Sequence, residues 1–326
     1  MRRVLLATLA LLGCSSEVPT PAGVSRDVGT VDDGAVFDSA VEEDAAVAPP
    51  AAGAVRFAAL NVRRLFDATC DSGACGAGDY EEVASAAQID QRTARFAETF
   101  VRLRADVILV EEVETAALLD AIADRMPGTR WSRALGETGG AASVDVGVIA
   151  RFPITETRRH RDRLLVRPDG TTTTFARELL EVHLDVRGAE VVVFVAHFRS
   201  KANDDPGRRW AEANGAREIV TEVASAHPDA LVLLGGDLND VPGSPPLLVL
   251  QEGDALVRVS AWLPDPLIGT FTFEGQLQAI DHFYIARANV ARYVPRSFKT
   301  ARDPGGRGLA GSDHAGTVAD FAGFPN

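Results

Sequence analysis

Short apolar runs of β-strand character alternate with helix-like stretches from residue 55 onward, and this alternation restricts the chain to an α/β fold. Strand patterns cover residues 55–60, 106–110, 144–150, 179–186, 190–196, 230–234 and 280–286. Apolar residues recur at helical spacing over residues 91–104, 116–125 and 208–226. Residues 187–189 indicate a hairpin turn, whereas helices between other strands indicate crossovers. We therefore expect one α/β domain, residues 55–326, with mixed sheets.

The N-terminus has the pattern of a targeting signal. Two arginines precede an apolar run at residues 4–12, which is too short to cross a bilayer as a helix. The run ends in LLGC, with the cysteine at Cys14, and resembles the lipobox of bacterial lipoproteins, in which cleavage precedes a lipidated cysteine. We therefore expect a signal peptide at residues 1–13. An ordinary secretory signal with an incidental cysteine is the alternative.

Residues 14–54 have the composition of a tether. They are rich in Ala, Pro, Val and acidic residues, with Phe37 as their one aromatic residue. Such a segment buries too little apolar surface to offset its chain entropy, so we expect disorder. A functional acidic tail is the alternative. The two serines after Cys14 favour the outer membrane in the didermal pattern, so we expect an exported lipoprotein at the outer membrane or cell surface.

Net charge argues against a broad basic surface. The formal charge of the chain is -13, of which the signal contributes +2 and the tether -7, leaving -8 for residues 55–326. Proteins that bind nucleic acid over a broad surface usually carry clusters of lysine and arginine there, and a domain of this charge does not resemble them. It is compatible with a site that binds phosphate through a metal ion.

Cys70 and Cys75 are the two cysteines of the body, within the sequence CDSGAC. In an exported protein this spacing favours a disulfide that closes a short loop. Such a bond stabilises the fold by about 2 kcal/mol in a chain-entropy treatment. A metal site is the weaker alternative, because no histidine is near them in the sequence.

Polar residues recur where the strand patterns end. One polar residue at a strand end is commonplace, but here six strand ends carry carboxylates, amides or imidazoles. These side chains would converge if the strand ends shared one sheet edge. Carboxylate and amide oxygens suit Mg2+, Mn2+ or Ca2+ better than zinc. The residues are Asn61, Glu111, Glu112, His197, Asp237, Asn239, Asp281, Asp313 and His314.

The stretch LLGGDLND at residues 233–240 combines two of these residues with a pair of glycines. Residues two apart on an extended strand face the same side, so we expect Asp237 and Asn239 to address one ligand. The preceding glycines are expected to allow close approach of backbone and phosphate, although Gly235 could serve packing alone.

The order and local sequence of these residues resemble the endonuclease/exonuclease/phosphatase superfamily, which has the deoxyribonuclease I-like fold. The resemblance covers nearly the whole body and rests on the stretches NVRRLFD, VEEVE, VGVIARFPI, VAHFRSK, GGDLND and AIDHFYI. It implies a four-layer sandwich, in which two mixed β-sheets pack face to face between helices. It also implies divalent-metal-dependent cleavage of a phosphoester.

The resemblance also implies the metal ligands. Glu112 corresponds to the principal ligand, and Asn61 and Asp313 correspond to ligands beside it, directly or through water. Mg2+ is the expected ion, with Mn2+ or Ca2+ as alternatives.

Five catalytic roles follow from the same resemblance. Asp237 orients or deprotonates the attacking water, and Asn239 holds the phosphate or that water. His314 acts on the scissile phosphate as acid, base or charge stabiliser, and Asp281 fixes its ring. His197 donates to a non-bridging phosphate oxygen.

Three basic residues are candidates for substrate binding. Arg177 matches a family arginine that can contact phosphate. Arg199 and Lys201 lie in a basic cluster that either contacts the substrate backbone or forms a solvated approach to the next helix.

Four further polar residues carry weaker expectations. Glu111 stands where the family usually has Gln, so we expect it beside the metal ligands or facing solvent. His160, His183 and His227 belong to no motif and are expected to be structural or exposed.

The expected function is that of an exported, metal-dependent phosphodiesterase, foremost a nuclease acting on DNA or RNA. A phospholipid (sphingomyelinase-like) or inositol-phosphate phosphoesterase with the same fold is the first alternative. A non-catalytic surface binding protein is the second. We expect a monomer without a protein partner, attached to the membrane through Cys14.

Overall fold

The structure, a computed structural model, describes residues 47–128 and 130–325. The expected signal peptide, Cys14 and residues 15–46 of the expected tether lie outside these residues. The strands, in chain order, are β1 (Val55–Leu65), β2 (Val107–Val113), β3 (Ser132–Leu135), β4 (Asp145–Ala150), β5 (Ile154–Arg159), β6 (Leu165–Val166), β7 (Thr172–Thr173), β8 (Leu179–Val186), β9 (Ala189–His197), β10 (Leu231–Asp237), β11 (Leu256–Arg258), β12 (Phe271–Phe273), β13 (Gln276–Gln278), β14 (Asp281–Ala286), β15 (Lys299–Ala301) and β16 (Gly316–Phe321). The α-helices are α1 (Ala86–Arg102), α2 (Ala116–Ala123), α3 (Pro206–Ala226) and α4 (Pro245–Leu250). In the described part of the chain, no helix has the length and apolarity needed to cross a membrane.

Each helix and strand that the sequence patterns predict is present, with shifts at the boundaries. Helix α1 begins several residues earlier than its apolar pattern, because Ser85 and Gln88 form a reciprocal capping box at its N-terminus. Strand β10 runs on to Asp237, so this residue belongs to the sheet. The short strands near the C-terminus, among them β12 and β13, were not predicted, since three residues are too few to show a period of two.

The strands form two six-stranded mixed sheets, which confirms the predicted fold class. The first sheet has the order β15-β16-β1-β2-β4-β3, and the second has the order β11-β14-β10-β9-β8-β5. Strands β1 and β2 are parallel, as are β9 and β10, whereas their outer neighbours run antiparallel. Each sheet therefore has a central parallel pair whose carboxyl ends share an edge.

Three apolar clusters produce four layers. One cluster fills the space between the sheets and includes Phe57, Leu109, Val193 and Leu233. A second packs α3 and α4 on the outer face of the second sheet, and a third packs α1 and α2 on the first. Burial on both faces explains why the central strands are continuous apolar runs instead of alternating ones.

The strand register brings polar residues to one edge. In the first sheet Asn61 pairs with Glu111, and in the second Asp237 pairs with His197 on one side. On its other side Asp237 pairs with Asp281, the first residue of β14. The predicted convergence of strand ends is therefore a consequence of register.

The glycines before Asp237 allow the two sheets to approach. A Cβ atom on Gly235 would lie 2.8 Å from Leu109 of the first sheet, and one on Gly236 would lie 2.7 Å from Glu111 Oε1 of the first sheet and 2.3 Å from the carbonyl oxygen of Ala196 in the neighbouring strand. Gly236 also has φ of 125°, which side chains other than glycine rarely adopt. Protein atoms surround both positions, which supports the alternative that Gly235 serves packing, while the close approach of a phosphate stays a prediction.

Candidate functional site

Glu112 reaches the site through a β-bulge in β2. The register between β2 and β4 shifts between Glu111 and Val113, and Glu112 has φ of 68°. The bulge turns two consecutive acids in different directions, so Glu111 is buried while Glu112 stays partly exposed. The backbone N–H of Arg64, itself at φ of 45°, donates to Glu112 Oε2 at 2.8 Å. Such left-handed residues cost about 1–3 kcal/mol each and concentrate at functional sites.

Asn61 links the ends of the two sheets. Its Nδ2 donates to Glu112 Oε1 at 3.2 Å and to Asp237 Oδ2 at 3.1 Å. Its Oδ1 accepts the backbone N–H of Arg63 at 2.9 Å, and its carbonyl accepts the Ser312 hydroxyl at 2.6 Å. The amide therefore fixes the spacing between a carboxylate of each sheet.

Asp313 lies at the exposed rim of this group. Its Oδ2 is 3.5 Å from Arg63 Nε, and its side chain is 41% exposed. Glu112 and Asp237 are less exposed, and both accept from Asn61. Asp313, Glu112 and Asp237 therefore offer hard oxygen donors that range from exposed to buried. This donor set fits Mg2+ or Mn2+, which favour carboxylate oxygens together with water.

Asp237 is the most connected acid of the site. Its Oδ1 accepts the backbone N–H of Asn239 at 2.9 Å, and its Oδ2 lies 3.5 Å from His197 Nε2 and 3.9 Å from His314 Nε2. Burial, followed by the charge of Asp281, raises the pKa of Asp237 above its ordinary value. The carboxylate is thus held in a position where His314 and the hydrogen bonds from Asn61 and Asn239 favour its charged form and burial opposes it.

His314 and Asp281 form a buried pair. Nδ1 of His314 is 3.0 Å from Asp281 Oδ2, and the ring is 4.7 Å from that of Phe271, centroid to centroid. Burial lowers the pKa of His314, but the charge and hydrogen bond of Asp281 outweigh burial and raise it to about 10. The imidazolium form is therefore favoured, with Nε2 turned toward Asp237.

His197 faces the same acids from β9 in a different protonation state. Its Nε2 lies 3.5 Å from Asp237 Oδ2 and 4.0 Å from Glu112 Oε1, and the side chain is buried. Burial, followed by the charges of Arg177 and His314, holds its pKa well below the ordinary value. Nδ1 has no hydrogen-bond partner in the part of the chain that the structure describes. A neutral His197 can donate one N–H from Nε2 to a ligand.

Asn239 is near the site for a different reason than strand alternation. Strand β10 ends at Asp237, and Asn239 has φ of 54°, so the two residues do not share an extended strand as expected. A local turn, closed by the Asp237 carboxylate, holds Asn239 instead, and its Nδ2 donates to the carbonyl of Phe198 at 3.1 Å. Asparagine tolerates this backbone conformation better than most residues.

Arg177 lies beside an aromatic residue that the sequence did not indicate. Nη1 of Arg177 donates to the Phe198 carbonyl at 3.3 Å. Burial and the charge of Glu112 raise the pKa of Tyr80, while Arg177 and Arg64 oppose the rise. The guanidinium of Arg64 lies 4.6 Å from the centre of the Tyr80 ring. In the sequence, Tyr80 is distinguished only as an aromatic residue within a loop of small and acidic residues.

A disulfide between Cys70 and Cys75 closes part of that loop. The carboxylate of buried Glu81 accepts the backbone N–H groups of Asp71 and Ser72 at 2.6 and 2.7 Å. These contacts restrain the segment that carries Tyr80 toward the site. The bond also removes both thiols from any metal site.

The other two basic candidates make contacts within the protein. Nζ of Lys201 lies 3.4 Å from Asp240 Oδ1 and 3.3 Å from the side-chain oxygen of Gln278 in β13. Arg199 donates from its guanidinium to the carbonyl of Asn203 and remains half-buried. Lys201 thus lies next to β13, and Arg199 braces its own loop.

Glu111 is fully buried, which excludes the second of the two expected placements, the one facing solvent. Its side chain lies between the sheets, and its two carboxylate oxygens lack hydrogen-bond partners among the described residues. Burial, followed by the charges of Asp281 and Asp237, raises its pKa well above the ordinary value. Burial between the sheets therefore disfavours the charged form of this carboxyl.

Solved structures with this architecture come from diverse organisms. Truncated TDP2 of Caenorhabditis elegans aligns with a TM-score of 0.57 and 16% identity, over 83% of this chain and 98% of that one. D. rerio TDP2 complexed with a single-strand DNA product gives 0.57 and 15%, over 83% and 99%. An endonuclease/exonuclease/phosphatase family protein of Bacteroides thetaiotaomicron gives 0.55 and 17%, over 82% and 94%. At these identities the likeness shows the shared fold.

Sequence comparison shows the family more directly. No curated protein matches the chain. The family model described as "Endonuclease/Exonuclease/phosphatase family" matches residues 60–314, from the residue before Asn61 to His314. These bounds enclose every residue of the candidate site described above. The chain therefore belongs to the endonuclease/exonuclease/phosphatase family.

Proposed function

We propose that this chain is a phosphodiesterase that depends on a divalent metal ion and hydrolyses nucleic acid. One observation carries the proposal: Asn61 joins the Glu112 and Asp237 carboxylates within 3.2 Å, and His197 and His314 both turn Nε2 toward Asp237. Carboxylates for a cation and imidazoles for an anion thus lie side by side. A phosphodiester beside a metal ion needs both.

Glu112, Asn61 and Asp313 are the residues that would hold the metal ion. When bound there, Mg2+ would neutralise charge on the phosphoryl oxygens and on the attacking water. Family members are phosphoric ester hydrolases and usually use a divalent metal. Mg2+ is our proposal for the ion, on the ground of the carboxylate-rich donor set.

The protein's own groups divide the remaining work. Asp237, held by Asn61 and the backbone of Asn239, orients the attacking water and accepts its proton. His197 donates from Nε2 to a non-bridging oxygen, because its neutral ring carries one N–H. The His314 imidazolium, fixed at Nδ1 by Asp281, stabilises charge that develops on the phosphoryl group or the leaving oxygen.

Arg177 and Asn239 are proposed to orient the substrate. Arg177 stands beside Tyr80 near the site, and the carbonyl Oδ1 of Asn239 stays available while Nδ2 binds the Phe198 carbonyl. Lys201 is a further candidate, since it is 27% exposed next to β13. Nucleic acid is the favoured substrate because D. rerio TDP2, which shares the fold, is described in complex with a single-strand DNA product.

A phospholipid substrate is the second candidate, and the hairpin of β12 and β13 favours it. This hairpin begins beside His314, where Phe271 stacks on the imidazole, and exposes Phe273 and Leu277 by 41% and 48%. Leu267, just before it, is 61% exposed. Apolar side chains around a charged site suit approach to a membrane surface.

Export and lipid anchoring are part of the proposal. They are supported by the lipobox-like sequence at Cys14 and by the Cys70–Cys75 disulfide, since such bonds persist in oxidising compartments. We propose residues 1–13 as the signal peptide, residues 14–54 as the lipidated tether and residues 55–326 as the catalytic domain, acting as a monomer.

The test uses the purified full chain on plasmid DNA, single-stranded DNA, RNA, sphingomyelin vesicles and inositol phosphates. We expect Mg2+-dependent cleavage of nucleic acid that stops with EDTA and returns when Mg2+ is added in excess. Asp237→Ala and His314→Ala should each abolish it. His282→Gln is the matched control, since His282 is equally buried but its Nε2 contacts the Asp240 carbonyl.

Faster turnover of sphingomyelin than of any nucleic acid would replace the first candidate with the second. No turnover of any phosphoester by a folded protein with Mg2+ bound would leave a binding protein, and would overturn the proposal.

A further inference from the structure

A second cluster of metal-binding side chains lies away from the catalytic residues. His183 from β8, Glu190 from β9 and His227 at the end of α3 each offer a ligand atom, and these atoms lie within 4.8 Å of one another. Glu190 precedes His197 by seven residues on β9, so the cluster is about 23 Å away along the strand. It therefore forms a site separate from the catalytic one.

The atoms that meet in this cluster are two imidazole nitrogens and one carboxylate. Nδ1 of His183 is 2.9 Å from Glu190 Oε1, and Nδ1 of His227 is 2.9 Å from Glu190 Oε2. In a tetrahedral zinc site, neighbouring nitrogen and oxygen ligands stand roughly 3.3 Å apart. The two nitrogen–oxygen distances are thus within a few tenths of an ångström of those in such a site.

Glu181 supports His183 from the opposite side of its ring. Nε2 of His183 lies 2.7 Å from Glu181 Oε1, and both residues are buried. Zinc-bound histidines usually donate their second N–H to a carboxylate in this way, which fixes the tautomer that leaves the other nitrogen free to bind metal.

The charges around Glu181 hold it in this supporting role. Arg158 on β5 donates to Glu181 Oε1 at 3.1 Å and also pairs with Glu156. His160 contacts Glu181 Oε2 at 2.7 Å. These contacts fix the Glu181 carboxylate where Oε1 can accept the Nε2 proton of His183, which leaves Nδ1 of His183 facing Glu190.

Access and geometry also suit a bound ion. His183 is buried, whereas His227 and Glu190 are 28% and 41% exposed, so the ion could enter from solvent and keep a water as fourth ligand. Two nitrogens and one carboxylate favour a transition-metal dication over Mg2+ or Ca2+, which prefer all-oxygen sites.

We propose that His183, Glu190 and His227 bind a zinc ion that fastens the β8–β9 hairpin to the end of α3. The ion replaces the two Nδ1–carboxylate hydrogen bonds. His227 is the C-cap of α3, and Leu231 begins β10 four residues later, so the bond restrains the turn between this helix and the central strand. The site goes beyond the phosphodiesterase reaction and is independent of it.

The test measures Co2+ and Zn2+ binding to the full chain carrying Glu112→Gln, which weakens the catalytic metal site. After removal of metal with EDTA, we expect one Co2+ per chain with the visible absorption of a tetrahedral site, displaced by Zn2+. His227→Gln should abolish this spectrum, and Glu181→Gln should weaken binding about 10–100-fold. His160→Gln is the matched control, since it contacts Glu181 but supplies no ligand, and it should keep the stoichiometry.

Zinc should also raise the unfolding temperature of the otherwise unmodified chain, and His227→Gln should remove this rise without changing phosphodiesterase turnover. A folded chain with no tetrahedral Co2+ spectrum, or one whose spectrum survives His227→Gln, would overturn the proposal. Either result would show that these three residues do not form the metal site.

Discussion

Individual residues in the candidate site differ in what burial does to them. His197 and His314 are both buried and both face Asp237, yet burial dominates the first and the Asp281 partner dominates the second. The difference follows from what lies behind each ring, since Nδ1 of His314 meets a carboxylate and Nδ1 of His197 meets no partner among the described residues. One imidazole is therefore suited to donate while neutral, and the other to remain charged.

Asp281→Asn tests the dependence of His314 on its partner. The amide keeps the size of the side chain but removes the charge that favours the imidazolium form. We expect the kcat for phosphodiester hydrolysis to fall on the order of 100-fold or more, with a small change in KM, because ring orientation and charge act in the transition state.

The control for that variant is Thr270→Val. Thr270 accepts the backbone N–H groups of Ile280 and Asp281 through its hydroxyl, which bonds no catalytic side chain in the part of the chain that the structure describes. The Thr270→Val variant should have a lower free energy of unfolding and a nearly unchanged kcat. An Asp281→Asn enzyme with unchanged kcat would show that His314 needs no anionic partner.

At the scale of strands and helices, the sequence predicted which strand ends carry the site. It could do so because the central strands are buried on both faces and therefore appear as apolar runs that stop at Asn61, Glu112, His197 and Asp237. The register that aligns these ends depends on pairing between strands far apart in the chain. The prediction that the ends converge therefore rested on the resemblance to the family.

Features that depend on local backbone geometry could not be predicted from the sequence. The bulge that turns Glu112 away from Glu111 has no distinct residue pattern, so Glu111 could not be placed. The cluster at His183 and Glu190 has a partial signal in the sequence, since pairing across the hairpin sets Asp185 opposite Glu190 and His183 two residues away on the same face. His227 joins them only through the packing of α3, which the sequence does not encode locally.

Gly236→Ala tests how closely the two sheets must approach. The added Cβ would meet the Ala196 carbonyl and lie 2.7 Å from Glu111 Oε1, in a backbone conformation that alanine disfavours. Strain and overpacking together predict a loss of about 2–5 kcal/mol in the free energy of unfolding. Activity should fall as well, because the next residue is Asp237.

Gly243→Ala is the matched control in the same part of the chain. Gly243 also has a positive φ, of 84°, but a Cβ there would meet no atom within 4 Å. Only the backbone cost should remain, so urea unfolding should show a clearly smaller loss than for Gly236→Ala. Equal losses would mean that strain, and not the contact between sheets, makes glycine necessary at 236.

At the scale of the whole molecule, the site sits where two sheets meet on an acidic body. Neither sheet alone holds it, since Asn61 and Glu112 come from the first and Asp237, His197 and Asp281 from the second. Residues 55–326 carry a net charge of -8, and the basic candidates Arg177, Arg199 and Lys201 are few. Substrate attraction must therefore come from the site itself more than from a surrounding positive field.

This charge distribution predicts a weak dependence of DNA cleavage on salt. Each phosphate neutralised by a basic side chain lowers the slope of log affinity against log salt by about 0.9. With at most the three basic candidates in contact, the slope for kcat/KM on duplex DNA should be no steeper than roughly -3. The measurement varies KCl at fixed, saturating Mg2+, and Arg177→Gln should make the slope shallower by about one. A slope near -6 would reveal a basic binding surface that these residues do not account for. Substrate contacts far from the two sheet edges would then have to offset the repulsion between the acidic domain and the DNA.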